Sequence, residues 1–184
     1  MTTTSTTATR SYTIDPSHSN AHFSVRHLMI AKVRGSFSNI AGSIQLPADS
    51  AIPTGFSAEI DAATIDTRDA QRDGHLKSPD FFDVATFPKI TFASTHIEPI
   101  DATSFKAAGT LTIHGVSAPV TLEVEVSGEG KDPWGNHRVA FEAKTKINRK
   151  DFGLVWNQAL EAGGVAIGDE VSVTLDVESI PTPA

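Results

Sequence analysis

Apolar and polar residues alternate one for one in segment after segment of this chain, and no other feature limits the possible folds as strongly. Between residues 171 and 178, valine or leucine stands at every odd position and a polar residue at every even one. The same period of two occurs in segments 21–27, 118–126 and 139–147, and more weakly in 33–37, 40–46, 55–65, 89–97 and 105–113. Because side chains point alternately to the two faces of a strand, this pattern predicts strands with one apolar face.

Turn-forming residues separate these segments and determine how the strands connect. Short groups containing Asp-Pro, Ser-Asn, His-Gly and Gly-Gly stand between neighbouring strands. Such short connections join antiparallel neighbours, and strands with one apolar face are typical of antiparallel sheets. About eight or nine strands fit either a barrel or a two-sheet sandwich, and we favour the barrel because closure removes exposed sheet edges. The sequence therefore predicts an all-β, antiparallel up-and-down barrel of about eight strands.

One segment departs from the alternation and predicts a short helical insert at about residues 67–83. Asp69 is expected in the first turn of a helix, and Ser78 followed by Pro79 is typical of the start of a second helical turn. The adjacent apolar residues Phe81 and Phe82 are expected to place this insert over one end of the sheet.

Composition limits the classes of function. Hydrophobic residues make up 39% of the 184 residues and charged residues 20%, which suits one domain with a substantial core. The net charge of −7 argues against nucleic acid as a partner and against adhesion to an anionic membrane surface. The absence of cysteine excludes disulfides, thiolate nucleophiles and cysteine-ligated metals.

The first ten residues, MTTTSTTATR, are rich in threonine and contain no apolar run. They predict a disordered tail at residues 1–10 and no signal peptide, followed by a single barrel domain at residues 11–180. No segment approaches the ~18 apolar residues of a membrane span. We therefore expect no membrane insertion and a cytoplasmic location.

Several motifs along the chain resemble those of one known family. They are Tyr12-x-Ile14-Asp15-x-x-His18-Ser19, Phe23-x-Val25-x-His27-Leu28, Gly35-x-Phe37, Gly42-x-Ile44, Ile65-Asp66-Thr67, Arg72-Asp73-x-His75-Leu76-x-Ser78-x-Asp80-Phe81-Phe82-Asp83, Phe87-Pro88-x-Ile90-x-Phe92, Gly109-x-Leu111-x-Ile113-x-Gly115-Val116 and Arg149-x-Asp151-Phe152-Gly153. Together these motifs resemble the YceI-like family, also called polyisoprenoid-binding proteins, over about residues 11–180. The resemblance implies a lipocalin-like barrel whose apolar interior holds a long isoprenoid or a similar lipid.

The expected ligand site is the apolar interior of this barrel. Its candidate lining residues are Phe23, Val25, His27, Phe37, Ile44, Phe56, Ile60, Leu76, Phe81, Phe82, Phe92, Leu111, Ile113, Phe141, Phe152 and Leu154. Trp156 follows Phe152 and Leu154 with matching parity, so we expect it to plug one end of the barrel.

Four polar residues are candidates for contact with the polar head of a ligand. His27 shares the parity of Phe23 and Val25 and should point inward, where it either bonds a neighbouring protein group or contacts the ligand. Arg72 and His75 are expected at the mouth of the barrel. Residues 149–153 either form a turn held by a bond from the Asp151 side chain, or they place Arg149 against the polar head of a ligand.

The sequence therefore predicts a protein that binds, sequesters or transports a long-chain isoprenoid, such as a quinone or a polyprenyl species, and is not an enzyme. The first alternative is a barrel enzyme that uses His27 or His75 as acid or base on a small apolar substrate. The second is a barrel filled by its own side chains that serves as an interaction scaffold. The spacing of His18 and His22 predicts that they share one face of a strand, but no metal site is predicted, because the pair lacks a third ligand at a suitable spacing. No cofactor is expected, and a homodimer is left open.

Overall fold

The structure, a computed structural model, describes residues 8–183 and is built mainly from strands. The strands are β1 (Thr9–Ile14), β2 (Asn20–His27), β3 (Ala31–Phe37), β4 (Ile40–Pro47), β5 (Gly55–Asp61), β6 (Lys89–Pro99), β7 (Ser104–Ile113), β8 (Val116–Lys131), β9 (His137–Asn148) and β10 (Ile167–Pro181). The helical elements are α1 (Ala70–Lys77) and two 3₁₀ turns at Ala62–Thr64 and Arg149–Phe152.

Eight of these strands close into an antiparallel barrel. β1 pairs with β4, the order then follows the chain from β4 to β10, and β10 pairs again with β1. This last pairing joins Tyr12, Thr13 and Ile14 to Pro181, Ile180 and Ser179. The predicted all-β, antiparallel up-and-down barrel of about eight strands is therefore confirmed.

Strands β2 and β3 form a hairpin that extends the wall beyond the closed ring. β2 pairs with β10 from Asp176 to Ile167, next to the short stretch that β10 contributes to β1. The turn between β2 and β3 consists of Leu28, Met29 and Ile30, which we call the tip. The tip lies at the end of the barrel where β10 begins, and we call this end the mouth.

The helical insert is confirmed, with different internal boundaries. The Asp69 carboxylate accepts a hydrogen bond from the Arg72 N–H, so Asp69 caps α1 rather than lying in its first turn. The predicted second helical turn is a series of hydrogen-bonded turns, in which the Ser78 carbonyl accepts from the N–H groups of Phe81 and Asp83.

The first strand begins earlier than the sequence analysis predicted. Thr9 and Arg10 fall within the predicted disordered tail, yet they pair with Pro47 and Leu46 of β4. The Arg10 guanidinium also donates a hydrogen bond to the Pro47 carbonyl at 3.1 Å. Cross-strand hydrogen bonds thus order a polar segment that has no apolar run of its own. Residues 1–7 of the predicted tail lie outside the described residues.

A largely buried ion-pair network joins several parts of the chain at the end of the barrel opposite the mouth. The Arg138 guanidinium on β9 donates hydrogen bonds to Asp15 at 2.9 Å, to Asp132 at 3.0 Å and to Glu178. Hydrogen bonds from His18 and Arg138 lower the pKa of Asp15 from 3.8 to about 2. Burial raises the pKa of Asp132, but hydrogen bonds from its own turn and from Arg138 outweigh this and bring the pKa to about 2.

We expect acid to weaken the fold through this network. A carboxyl group whose pKa is lower in the folded state stabilises the fold fully above its unfolded pKa, here 3.8, and loses that contribution as the pH falls through about 2. The melting temperature, followed by circular dichroism, should therefore fall between about pH 4 and pH 2.

Two variants separate this network from the other carboxyl groups. Arg138→Gln removes the shared cation, so its melting temperature should be lower near neutral pH and fall less on acidification. Lys146→Gln breaks an exposed ion pair with Glu170 and should keep the wild-type pH profile. If the Arg138→Gln profile runs parallel to that of the wild type, the network does not carry the acid sensitivity.

Candidate ligand-binding cavity

The barrel encloses a cavity of about 560 Å³. Its lining runs along β10 from Ile167 at the mouth to Val177 near the opposite end. At about 3.3 Å per residue and a strand tilt of about 40°, these roughly ten residue steps correspond to about 25 Å along the barrel axis. The interior is therefore an elongated space and is not filled by side chains.

The structure places all but one of the predicted site residues at this cavity. The lining includes Phe23, Val25, His27, Phe37, Ile44, Phe56, Ile60, Arg72, His75, Leu76, Phe81, Phe82, Phe92, Leu111, Ile113, Phe141, Arg149, Leu154 and Trp156. The exception is Phe152, which is only 1% exposed and belongs to the packed core outside the cavity lining. The 3₁₀ turn at Arg149–Phe152 interrupts the period of two on which its placement rested. That the residues at the cavity bind a ligand stays a prediction.

A second set of lining residues, most of which are aliphatic, was not predicted from the sequence. They include Ile14, Val33, Ile40, Ile90, Leu122, Val124, Ile147, Val171, Val173, Leu175 and Val177. The alternating pattern of β10 could have identified the four lining residues on this strand, because every odd residue from 171 to 177 is apolar. Half of the sixteen candidate lining residues are phenylalanines, and β10, which contains no phenylalanine, contributes none of the candidates.

Aromatic side chains cover part of the cavity at the mouth. The His75 ring on α1 packs edge-on against Phe81 at 5.1 Å and against Trp156 at 4.8 Å between ring centroids. The His75 Nε2 atom lies 2.8 Å from a carboxylate oxygen of Asp80, which holds the ring in this orientation. Trp156 comes from the segment that follows β9, so the contacts join the insert to the opposite side of the mouth. We call His75, Phe81 and Trp156 the aromatic plug.

Arg72 is committed to the shape of the insert. Its guanidinium donates hydrogen bonds to the Thr67 hydroxyl at 2.8 Å and to the Thr67 carbonyl at 2.9 Å. The Asp73 carboxylate in turn accepts hydrogen bonds from the Thr67 N–H and hydroxyl groups. Thr67 is buried, so these bonds satisfy its polar groups beside the cavity.

Arg149 is buried, at 4% exposure, and its guanidinium holds two chain segments together. It donates hydrogen bonds to the carbonyls of Leu154 at 2.6 Å and Trp156 at 2.9 Å on one segment, and of Gly168 at 2.9 Å on the other. A further carbonyl, that of Ile167, lies at 3.4 Å. Burial lowers the pKa of Arg149, and the nearby Asp169 opposes this shift. With its donors used in this way, Arg149 has little capacity left for the head of a ligand.

The turn that contains Arg149 differs from the sequence prediction. The side chain that holds it is Asn148, which accepts a hydrogen bond from the Lys150 N–H at 3.0 Å, and not Asp151. Asn148 precedes the turn and so occupies the usual capping position, where a side-chain oxygen can reach the N–H two residues later.

His27 differs from the other polar candidates. It lines the cavity at the mouth end of β2, and within residues 8–183 its imidazole has no hydrogen-bond partner in the protein. The adjacent Leu28 lines the cavity and is 40% exposed, so the cavity reaches the surface beside His27.

Comparison with known proteins identifies the family. The family model described as a YceI-like domain matches residues 12–179. The chain belongs to the YceI-like family. It is 36% identical over 180 residues to a UPF0312 protein of Enterobacter sp. (strain 638), with 97% of this chain and 90% of the relative covered.

Two solved structures resemble this YceI-like chain. The YceI protein of Campylobacter jejuni has a TM-score of 0.74 and 30% identity, with 86% of this chain and 90% of that one covered. A polyisoprenoid binding domain from Saccharophagus degradans has a TM-score of 0.65 and 19% identity, with 93% and 98% covered. At that identity the second likeness supports the barrel fold alone.

The prediction that His18 and His22 share one face of a strand is wrong for this YceI-like barrel. His18 lies in the loop before β2 and bonds Asp15, whereas His22 on β2 faces Asp176 at 3.8 Å. Ligand atoms of Asp15, His18 and Glu178 lie within 4.8 Å of one another. The Arg138 guanidinium donates to both of these carboxylates and already supplies a positive charge there. The expected lack of a metal site stays a prediction.

Among the described residues, no helix of this YceI-like protein has the length and apolar character needed to span a bilayer.

Proposed function

We propose that this protein binds a long-chain isoprenoid lipid inside the barrel and sequesters or carries it. The observation that carries the proposal is the elongated cavity, which is lined almost entirely by apolar side chains and reaches the surface at Leu28. The polyisoprenoid binding domain of Saccharophagus degradans, whose name states this class of ligand, has the same barrel fold.

Apolar contact alone is sufficient for useful affinity. Burying one isoprene unit of five carbons contributes about 4 kcal/mol at about 0.8 kcal/mol per carbon. Three buried units contribute about 12 kcal/mol before the loss of translational and conformational freedom is subtracted, which is near the nanomolar range.

The length of the cavity sets an expected length for the buried chain. An isoprene unit contributes four bonds to the chain, roughly 5 Å when extended at about 1.2 Å per bond. A space about 25 Å long then holds about five extended units. Longer chains would have to fold back or leave part of their length outside.

The polar end of the lipid is expected at the mouth, where His27 is the best placed contact. Arg72, His75 and Arg149 make hydrogen bonds within the protein, whereas the His27 imidazole makes none within the described residues. A hydroxyl, carbonyl or phosphate group could bond its ring nitrogen there. The proposal includes no chemical step, and the absence of enzymatic activity stays a prediction.

Protein purified without detergent should contain a prenyl lipid. Filling an apolar cavity of this size with an apolar chain has a lower free energy than filling it with water. Organic extraction followed by mass spectrometry would identify the lipid, including whether it carries a quinone head. Adding prenyl lipids to the stripped protein should also raise its melting temperature. An empty extract combined with no thermal shift would contradict the proposal.

The cytoplasmic location stays a prediction, and the homodimer stays open. Cell fractionation would test the first, and analytical ultracentrifugation would test the second.

A further inference from the structure

The tip carries three large apolar side chains into solvent. Leu28, Met29 and Ile30 are 40%, 56% and 81% exposed. The Ile30 N–H donates to the His27 carbonyl, and this closes a turn whose central residues Leu28 and Met29 have φ angles of 51° and 62°. Such turns favour asparagine and glycine, because larger side chains strain the left-handed backbone. The tip therefore combines exposed apolar surface with backbone strain, and neither feature stabilises the isolated barrel.

The tip lies beside the opening of the cavity. The Leu28 N–H donates a hydrogen bond to the Ala166 carbonyl at 2.8 Å, which holds the tip against the segment before β10. Val165 in that segment is a further exposed apolar residue, at 37%. The exposed apolar surface formed by the tip and Val165 is continuous with the cavity, because Leu28 belongs to both.

Basic residues cover the outer face of the same hairpin. Arg26, Lys32 and Arg34 are exposed, and Arg26 lies directly opposite Lys32 across the two strands. Within the described residues none of the three forms an ion pair, since Asp169 and Asp176 on the neighbouring β10 are engaged with other side chains. Like charges directly opposite each other destabilise a sheet. The hairpin therefore offers unneutralised positive charge in a chain whose net charge is −7.

We propose that this hairpin docks on an anionic lipid bilayer. The tip inserts among the outermost acyl chains without spanning the bilayer, while Arg26, Lys32 and Arg34 lie against the phosphate groups. Peripheral binding of this kind combines buried apolar side chains with basic residues close to an anionic surface. The net charge argues against adhesion only as an average over the whole surface, and the hairpin is a local exception. Docking goes beyond the proposed lipid binding, because it turns the mouth toward a membrane that can supply or accept the lipid.

A second copy of the chain fits this surface less well. In a symmetric contact through the hairpin, the three cations of one copy would face the same three cations of the other, and these like charges would repel each other. A stable protein interface also buries roughly 800 Å² on each partner, far more than three residues at the end of a narrow hairpin provide. A bilayer needs no matching concave surface, so a protruding apolar tip suits it.

Co-sedimentation with phospholipid vesicles tests the proposal. The lipid-stripped protein should bind phosphatidylcholine vesicles that contain about 30% phosphatidylserine, and bind pure phosphatidylcholine much less. Ile30→Asp should weaken binding to the anionic vesicles about 10- to 100-fold by removing the most exposed apolar side chain. The triple variant Arg26→Gln, Lys32→Gln, Arg34→Gln should weaken it about 100-fold and abolish the preference for anionic lipid.

The control variant is Trp134→Ser. Trp134 is 80% exposed and lies in the β8–β9 turn, at the end of the barrel opposite the mouth. Vesicle binding should be unchanged in this variant, and equal losses in Trp134→Ser and Ile30→Asp would overturn the assignment to the tip. Absence of vesicle binding would also overturn the proposal. So would self-association of the wild type that rises with concentration, if Ile30→Asp abolishes this self-association and leaves vesicle binding unchanged.

A further variant separates this proposal from cavity binding. Val173→Trp introduces a large ring in the middle of the cavity and leaves the hairpin surface intact. It should lose affinity for long prenyl lipids but bind anionic vesicles as the wild type does. If the wild type binds prenyl lipids but not vesicles, docking fails while lipid binding stands. If the wild type binds vesicles but not prenyl lipids, lipid binding in the cavity fails while docking stands.

Discussion

Val173→Trp is expected to weaken the binding of geranylgeraniol, which has four isoprene units, by about 100- to 1,000-fold. Val173 lines the cavity on β10 between Phe23 and Thr145, roughly six residue steps from Ile167 at the mouth. A ring at this depth leaves about 15 Å of the cavity, enough for about three units. The excluded unit forfeits up to about 4 kcal/mol of burial. Isothermal titration calorimetry with the stripped protein measures the change.

The length dependence is the distinctive part of this prediction. Geraniol, which has two isoprene units, fits above the new ring and should bind the variant and the wild type with similar affinity. Thr174→Trp places the same side chain on the adjacent position of β10, outside the cavity lining, and should affect neither ligand. Equal losses for the long and the short alcohol would show that the cavity does not select chains by length in this way.

Arg149→Met should lower the free energy of unfolding by about 3–5 kcal/mol. The substitution keeps much of the side-chain volume but leaves the buried carbonyl of Leu154 and the partly buried carbonyls of Trp156 and Gly168 without their donor. Unpaired buried carbonyls cost about 1–3 kcal/mol each, and the segments that they belong to form one side of the mouth. Urea unfolding followed by circular dichroism measures the change.

A lysine variant tests the alternative that Arg149 neutralises the head of a ligand. Arg149→Lys keeps the positive charge but cannot reach carbonyls on both segments at once, because its donors share one nitrogen. We expect it to lose most of the same stability while prenyl affinity is retained under folding conditions. Lys150→Ala removes an exposed ion pair with Asp169 and should change stability by less than about 1 kcal/mol. A stable Arg149→Lys protein with impaired binding would favour the head-group role.

The regular part of this fold could be predicted from sequence because burial acts on it uniformly. In β10 between residues 171 and 178, each odd, apolar residue lines the cavity and each even, polar residue lies outside its lining, so the period of two is visible without a structure. The insert could be predicted for a related reason. Asp69 and Ser78 bond backbone groups within a few residues, and such local bonds leave a local sequence signature.

The features that were missed depend on contacts between distant residues. β1 has a weak pattern of its own and is ordered by pairing with β4 and β10. The burial of Arg149 contradicts the usual exposure of arginine, and carbonyls from two other segments, together with the nearby Asp169, compensate for it. Phe152 was placed at the cavity by extending a strand pattern into a turn, where the pattern no longer determines direction.

The pairing of β1 with β10 also affects how the protein is made. Tyr12 and Pro181 come from opposite ends of the described chain, so the ring cannot close until the chain as far as Pro181 has left the ribosome. Until then, the inner faces of the earlier strands have no opposing wall and remain open to solvent or to chaperones. Such long-range closure makes folding slow and leaves partly folded chains prone to aggregation. A hydrophobic guest present during synthesis could be enclosed as the wall forms around it.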